Sequence, residues 1–224
     1  MKTLFLFDFD STIVTVETLD ELLKKALAHH PKKEQLSAEI EAITNAGMNG
    51  ELDFRESLWR RIQTANIHQE HIDSLASELL RGITKNIPES ISLLLAAKHH
   101  VAIVSGGFRE LIFPVADHLC IPREYCFAND FEKKDNIVTG IDDTNPLSKS
   151  GGKSVIAEQL RRENAVEHLV MIGDGMSDAE PFLHGIANEF WGFFGNVRRP
   201  KVEKKATHTF FSGAELLQFV KENQ

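Results

Sequence analysis

Leu4-Phe5-Leu6-Phe7-Asp8-Phe9-Asp10-Ser11-Thr12 sets four consecutive apolar side chains directly against two carboxylates and two hydroxyls. A short unbroken apolar run is the pattern of a strand buried on both faces of a parallel sheet, and the polar residues mark its carboxyl end. The layout recurs where Val101-Ala102-Ile103-Val104 meets Ser105-Gly106-Gly107, and where Leu169-Val170-Met171-Ile172 meets Gly173-Asp174-Gly175. Helical patterns follow over Phe108 to Leu119, Lys153 to Glu163 and Ala214 to Val220. The order strand, loop, helix predicts an α/β fold with a Rossmann-like, doubly wound parallel sheet. Ligands of such sheets bind beyond the carboxyl ends of the strands, so Asp8, Asp10, Ser105 and Asp174 are expected in one crevice.

Residues 16–84 break the alternation. Leu19, Leu22, Leu23, Ala26 and Leu27 form one apolar helical stripe, and Ile72, Leu75, Leu79 and Leu80 form another. The expected division is a core of residues 1–15 and 85–224, with an inserted α-helical cap over 16–84. Met48-Asn49-Gly50 reads as a turn inside the cap, and Pro88 as the opening of the helix that leads to the Val101 strand. Phe127 to Gly140 is expected to hold a small hairpin.

A length of 224 residues suits one large domain with a modest insertion. Apolar residues make up 42%, about 48% once the 14 Gly are added, within the globular range of roughly 45–50% on that count. With 25 Lys+Arg against 33 Asp+Glu the net charge is −8, which argues against a nucleic-acid partner held by phosphate contacts alone. Lys201, Lys204 and Lys205 read as a solvated face. No stretch has the roughly 18 apolar residues of a membrane span, and the first apolar run is too short for a secretory signal, so no membrane role is expected. Cys120 and Cys126 read as two free, buried thiols of a reducing compartment, which predicts a cytoplasmic protein.

Two carboxylates two residues apart at a strand end repel one another unless a cation sits between them or they take different protonation states. Asp174 and Asp178 add a Gly-Asp-Gly-x-x-Asp loop, and clustered hard oxygens with glycine flexibility suit Mg²⁺. Ser105-Gly106-Gly107 offers a hydroxyl and successive N–H groups to a phosphoryl group. Ser150-Gly151-Gly152-Lys153-Ser154 is no nucleotide P-loop, because Leu147 stands where that motif requires glycine. It leaves Lys153 at a helix start, able to offset charge on a carboxylate and a phosphate. His68-x-x-His71 has metal-compatible spacing but no third ligand nearby in the sequence.

These loops, in this order, resemble the four motifs of the haloacid dehalogenase superfamily, and in detail they are similar to its phosphoserine phosphatase family. Glu17 stands nine residues after Asp8; Met48, Phe54 and Arg61 match a cap stretch of that family; Phe127-Ala128-Asn129 and Gly195-Asn196-Val197-Arg198 resemble further segments. Asn49 and Ser177 depart from the usual residues, both by small polar changes.

The resemblance implies an Mg²⁺-dependent phosphomonoesterase acting on O-phospho-L-serine. Asp8 would be the nucleophile and Asp10 the general acid and base. Asp8, the Asp10 carbonyl and Asp174 would hold the metal, with Asp178 and Ser177 supporting them. Ser105, Gly106, Gly107 and Lys153 would hold the phosphoryl oxygens. Glu17 and Arg61 would read the substrate's ammonium and carboxylate, and Met48 and Phe54 would wall it in. Hydrolysis of another small phosphate ester, phosphoryl transfer to an alcohol such as homoserine, and a non-catalytic module resembling a response-regulator receiver stay open, as does monomer against homodimer.

Overall fold

A computed structural model describes residues 2–49 and 51–223, apart from the side chain of Met48. The chain runs β1 (Thr3–Phe7), α1 (Thr18–Ala26), α2 (Lys33–Met48), α3 (Phe54–Ile62), α4 (Gln69–Leu79), α5 (Ile87–Ala96), β2 (His100–Phe108) and α6 (Arg109–His118). It continues with β3 (Cys126–Asn129), β4 (Phe131–Lys134), β5 (Ile137–Ile141), α7 (Gly152–Glu163), β6 (His168–Gly173), α8 (Met176–Leu183), β7 (Glu189–Phe193), α9 (Pro200–Glu203), β8 (His208–Phe210) and α10 (Gly213–Glu222).

Six parallel strands lie in the order β3-β2-β1-β6-β7-β8. Strand order reverses between β1 and β6, the switch point at which such sheets bind ligands. The expected parallel sheet is therefore present. Alternate residues of the central strands face opposite layers: Phe5, Phe7, Ile103 and Ile172 join a core with helices α1, α4, α5, α6 and α10. Leu4, Leu6, Val104 and Met171 join a second core with α7 and α8. Phe7, Phe9, Phe108, Phe190 and Phe193 are fully buried, each worth about 1.5–3 kcal/mol relative to exposure.

The stripe of α1 is buried at Leu19, Leu22, Leu23 and Leu27, and that of α4 at Ile72, Leu75 and Leu79. Leu80, expected on the same stripe, is 42% exposed, because α4 ends at Leu79 and the following 3₁₀ turn rotates it outward. Pro88 lies in the first turn of α5, as expected. Asn49 is in a turn, and Gly50 lies outside the described residues. The hairpin begins at Phe131, not Phe127. Residues 126–129 instead form β3 of the main sheet, and Asp135 and Asn136 turn β4 into β5 with φ of 53° and 63°, the left-handed pair of a type I′ turn.

Both cysteines are free, but only Cys126 is buried; Cys120 is exposed, a correction to the expectation of two buried thiols. His71 has a local structural role: its Nδ1 accepts from the His68 amide at 3.1 Å at the start of α4. Among the described residues no helix is long and apolar enough to cross a membrane.

Candidate active site

The Asp8 amide donates to Ile172 O at 2.8 Å, extending the β1–β6 pairing by one residue. The chain then doubles back through Phe9–Ile13, closed by Val14 N–H to Phe9 O at 3.0 Å, with Ser11 at a left-handed φ of 54°. This turn buries both Asp8 and Asp10. It also brings the Ser11 hydroxyl to Glu17 Oε1 at 2.8 Å.

Lys153, near the start of α7, projects its ammonium onto Asp8 Oδ1 at 2.6 Å and Asp178 Oδ1 at 2.5 Å. Asp178 Oδ2 accepts from the Gly175 amide at 2.9 Å. A Cβ at Gly173 would come 2.3 Å from Asp178 Cγ, so only glycine leaves the carboxylate this position. Asp8, Asp174 and Asp178 each place a carboxylate oxygen within 4.8 Å of the others, all three buried. The Asp10 side chain stands outside this group. Asp10 Oδ1 is buried and has no partner among the described residues.

Arg199 was not anticipated. It is 4% exposed, and it donates from Nε to Asp174 Oδ2 at 2.7 Å and from Nη2 to Glu17 Oε1 at 3.3 Å. The only signal in the sequence is its place just after Gly195-Asn196-Val197-Arg198, a segment that resembles one of the family's.

Charge in this crevice is unbalanced. Lys153 touches Asp8 and Asp178, Arg199 touches Glu17 and Asp174, and neither cation touches Asp10, so five acids share two bridging cations. Burial, then repulsion from Asp178, pushes Asp8 up to about 7 despite the Lys153 ammonium. Asp10 is held well above the ordinary carboxylate value by burial and by the charges of Glu17 and Asp8. Asp174 is raised in the same way, by burial and Glu17, with Arg199 opposing. Burial alone would depress Lys153, but Asp178 and Asp8 more than reverse that and raise it. An all-oxygen donor set with surplus negative charge fits a hard divalent cation and not a soft one.

The opposite wall is an irregularity in β2. Val104 pairs with Phe127 and Phe108 with Asn129, so β2 advances four residues while β3 advances two. Ser105-Gly106-Gly107 stands opposite Ala128 alone, two residues in excess, and bulges toward the crevice, with the Gly107 amide donating to Ser105 Oγ at 2.9 Å. Above it, Asp53 caps α3 by accepting from the Glu56 amide at 3.2 Å, and the Phe54 amide donates to Ser150 Oγ at 3.3 Å. Arg61, in the last turn of α3, is 3% exposed. Its Nη1 donates to Asp20 Oδ1 at 3.1 Å and Thr44 Oγ1 at 3.0 Å, and its Nε to Ser57 O at 3.3 Å.

Asp8, Asp10, Glu17, Phe54, Arg61, Ser105, Gly106, Gly107, Lys153 and Ser177 line one pocket. Asp174 and Asp178 lie behind its floor, beside Asp8. Met48 ends α2, but its side chain lies outside the described residues. One pocket therefore holds a carboxylate pair whose ionisation is shifted, an anion-binding loop and an ammonium. It also offers an acid and a guanidinium for the rest of a small zwitterion. That arrangement suits transfer of a phosphoryl group to a carboxylate.

The family model for haloacid dehalogenase-like hydrolases matches residues 5–181. Phosphoserine phosphatase of Rattus norvegicus is 32% identical over 217 residues, 96% of this chain and 92% of that protein. A phospho-aspartyl intermediate analogue of phosphoserine phosphatase superposes with a TM-score of 0.82 at 28% identity, covering 97% of this chain and 98% of the other. A substrate-bound phosphoserine phosphatase complex gives a TM-score of 0.82 at 27% identity, with 98% of each chain covered. The chain belongs to the haloacid dehalogenase-like hydrolases, within their phosphoserine phosphatase family.

Proposed function

We propose that this enzyme hydrolyses O-phospho-L-serine to L-serine and phosphate through an aspartyl-phosphate on Asp8. The observation that carries the reading is the single pocket in which Asp8 and Lys153 meet Ser105 to Gly107 on one side and Glu17 and Arg61 on the other.

In the first step an Asp8 carboxylate oxygen bonds to phosphorus. The ester P–O bond breaks, and its electron pair leaves on the serine oxygen, which takes the proton of Asp10. In the second, the Asp10 carboxylate accepts a proton from water as that water attacks phosphorus. The Asp8–phosphate bond then breaks, freeing the phosphate and the carboxylate. The raised protonation of Asp10 suits its first task, a role typically worth about 10²- to 10⁴-fold.

Lys153 and Ser105, with the amides of the bulge, hold the phosphoryl oxygens where transition-state charge spreads. Glu17 pairs with the substrate ammonium, and Arg61 with its carboxylate. Residues 16–84, helices α1 to α4, act as the cap, with Phe54 excluding water over the ester. Haloacid dehalogenase-like phosphatases are metal-dependent. Here Mg²⁺, held by Asp8, Asp174 and the Asp10 carbonyl with Asp178 supporting, would supply the positive charge that lets an anionic nucleophile meet an anionic ester. We place the enzyme in the cytoplasm, on the ground of its unpaired cysteines.

Initial rates across small phosphate esters, with and without Mg²⁺, test the reading. Phosphoserine should lead, phosphoethanolamine, which lacks the carboxylate, should trail, and Asp8→Asn should abolish turnover. Beryllofluoride should label Asp8. A faster reaction with homoserine as phosphoryl acceptor would assign transfer instead of hydrolysis.

A further inference from the structure

We infer that Asn129 is a positioning residue for phosphate recognition, one side-chain amide that holds the Ser105 loop and the Lys153 loop at a fixed spacing. This rests on the phosphatase reading above. Asn129 ends β3, is fully buried, and touches neither Asp8 nor the acidic group beside it in any recorded hydrogen bond. Its Nδ2 donates to Gly106 O at 2.9 Å and to Leu147 O at 3.1 Å. Two carbonyls can be met only by the NH₂ end of an amide, so the orientation of the group is set by its surroundings. Its Oδ1 is buried with no partner among the described residues, so the contribution of the amide lies in its two donors.

Each donor acts on one half of the phosphate site. Gly106 is the middle of the β2 bulge, where the ladder with β3 is interrupted between Val104 and Phe108 and cannot itself hold the loop. The chain has no cis peptide bond among the described residues, so the Gly106 carbonyl and the Gly107 N–H point in opposite directions. Pinning the carbonyl on Asn129 aims the Gly107 N–H at Ser105 Oγ, 2.9 Å away. With an oxygen lone pair of Ser105 taken from behind, its O–H is left to donate forward to a phosphoryl oxygen.

The other donor holds the 3₁₀ turn Pro146–Ser148. Asn145 ties the same turn to β3, through its Nδ2 on Ala128 O at 2.8 Å and its Oδ1 on the Leu147 amide at 3.0 Å. The turn is packed hard against Gly152, where a Cβ would come 2.1 Å from Pro146 O. Gly152 immediately precedes Lys153, so the position of Leu147 sets where the ammonium enters the pocket. β3 thus serves as the common post for both phosphate-binding elements.

The test is a double-mutant cycle on the full chain with Mg²⁺, using p-nitrophenyl phosphate turnover and competitive inhibition by inorganic phosphate. Asn129→Ala and Asn129→Asp are each combined with Ser105→Ala, and circular dichroism checks folding. A loss of about 10²-fold in kcat/KM is expected for either single variant, the scale of an ångström-sized misplacement. The inhibition constant for phosphate should rise about tenfold by the same argument. In the Ser105→Ala background the Asn129 effect should shrink to a few-fold, because the two act as a unit. Wild-type rates in a folded Asn129 variant, or losses that simply multiply, overturn the inference, and so does failure of both variants to fold. A wild-type protein with no esterase activity would defeat the phosphatase reading itself, a result distinct from all of these.

Discussion

Nζ of Lys153 lies 2.6 Å from Oδ1 of Asp8, two side chains 145 residues apart in the chain and both buried. The same ammonium meets Asp178 at 2.5 Å, so one cation serves two carboxylates that would otherwise repel across the floor of the pocket. Lys153→Met keeps the stem and removes the charge. Breaking a buried pair from one side typically costs about 3–5 kcal/mol, and turnover should fall with it. Thermal unfolding with and without Mg²⁺ checks this: the variant should melt well below wild type, and Mg²⁺ should recover part of the difference. Equal melting temperatures would mean that Lys153 contributes nothing to the charge balance.

The metal-free protein should lose stability as pH rises from about 5 to 8. Asp8 titrates at about 7 when folded and near the ordinary carboxylate value, about 3.9, when unfolded. Between those values the folded state holds a proton that the unfolded state has released, so each step up in pH favours unfolding. Asp10 and Asp174, raised for the same reasons, add to the slope. The lowered surface carboxylates, such as Asp53 and Asp117, finish titrating below this window. His71 and His99, depressed by burial, work weakly the other way. Melting curves in EDTA against Mg²⁺ should therefore diverge as pH increases, since bound metal displaces the protons. Asp8→Asn should flatten the EDTA series, and a flat or rising wild-type series would contradict the assigned burial of charge.

Three of the six sheet strands were legible because a strand buried on both faces cannot avoid an apolar run: β1, β2 and β6 carry one each. The other three lack it. β3 is four residues ending in the polar Asn129, β7 opens with Glu189 and contains Gly192, and β8 is three residues beginning with His208. Their pairing comes from neighbours already in the sheet, which no local pattern records. Glu17 comes only from the family resemblance, whereas Asp8, Asp10 and Asp174 were legible because they follow those apolar runs. Arg199 was not, since only tertiary packing makes a guanidinium beside Arg198 and Lys201 a buried partner of Asp174. Asp20 and Thr44 were missed likewise: each looks like an ordinary polar position of an amphipathic helix until α1, α2 and α3 bring them around Arg61.

Phe54 and Gly106 meet where helix α3 approaches the β2 bulge. A Cβ at position 106 would stand 2.3 Å from the Phe54 ring, so Gly106→Ala must displace that ring. Phe54 and Gly106 also line an adjoining cavity of about 230 Å³, so the displaced ring has space to move into and the wall between the two spaces opens. KM for phosphoserine should rise about tenfold, roughly 1.4 kcal/mol of lost binding. Phe54→Ala removes the obstruction together with the wall, and adding Gly106→Ala to it should cost little more. Full multiplication of the two effects in steady-state kinetics would show that the ring and the glycine do not act through each other.

Arg61 separates binding from support more sharply than any other residue of the pocket. Its Nη1 and Nε are committed to Asp20, Thr44 and Ser57, whereas no described residue accepts from Nη2, which is free for a substrate carboxylate. Arg61→Ala should raise KM for phosphoserine by about 10- to 100-fold, the scale of a charged hydrogen bond worth about 1.5–3 kcal/mol, with far less change for p-nitrophenyl phosphate. The same variant strands Asp20, whose carboxyl burial already raises and Arg61 holds down, so it should also melt lower. Asp20→Asn avoids that stranded charge while loosening the guanidinium, and it should give only a few-fold rise in KM, with kcat retained. Equal losses for phosphoserine and the aryl ester in Arg61→Ala would mean that the guanidinium braces α1 to α3 and reads no carboxylate.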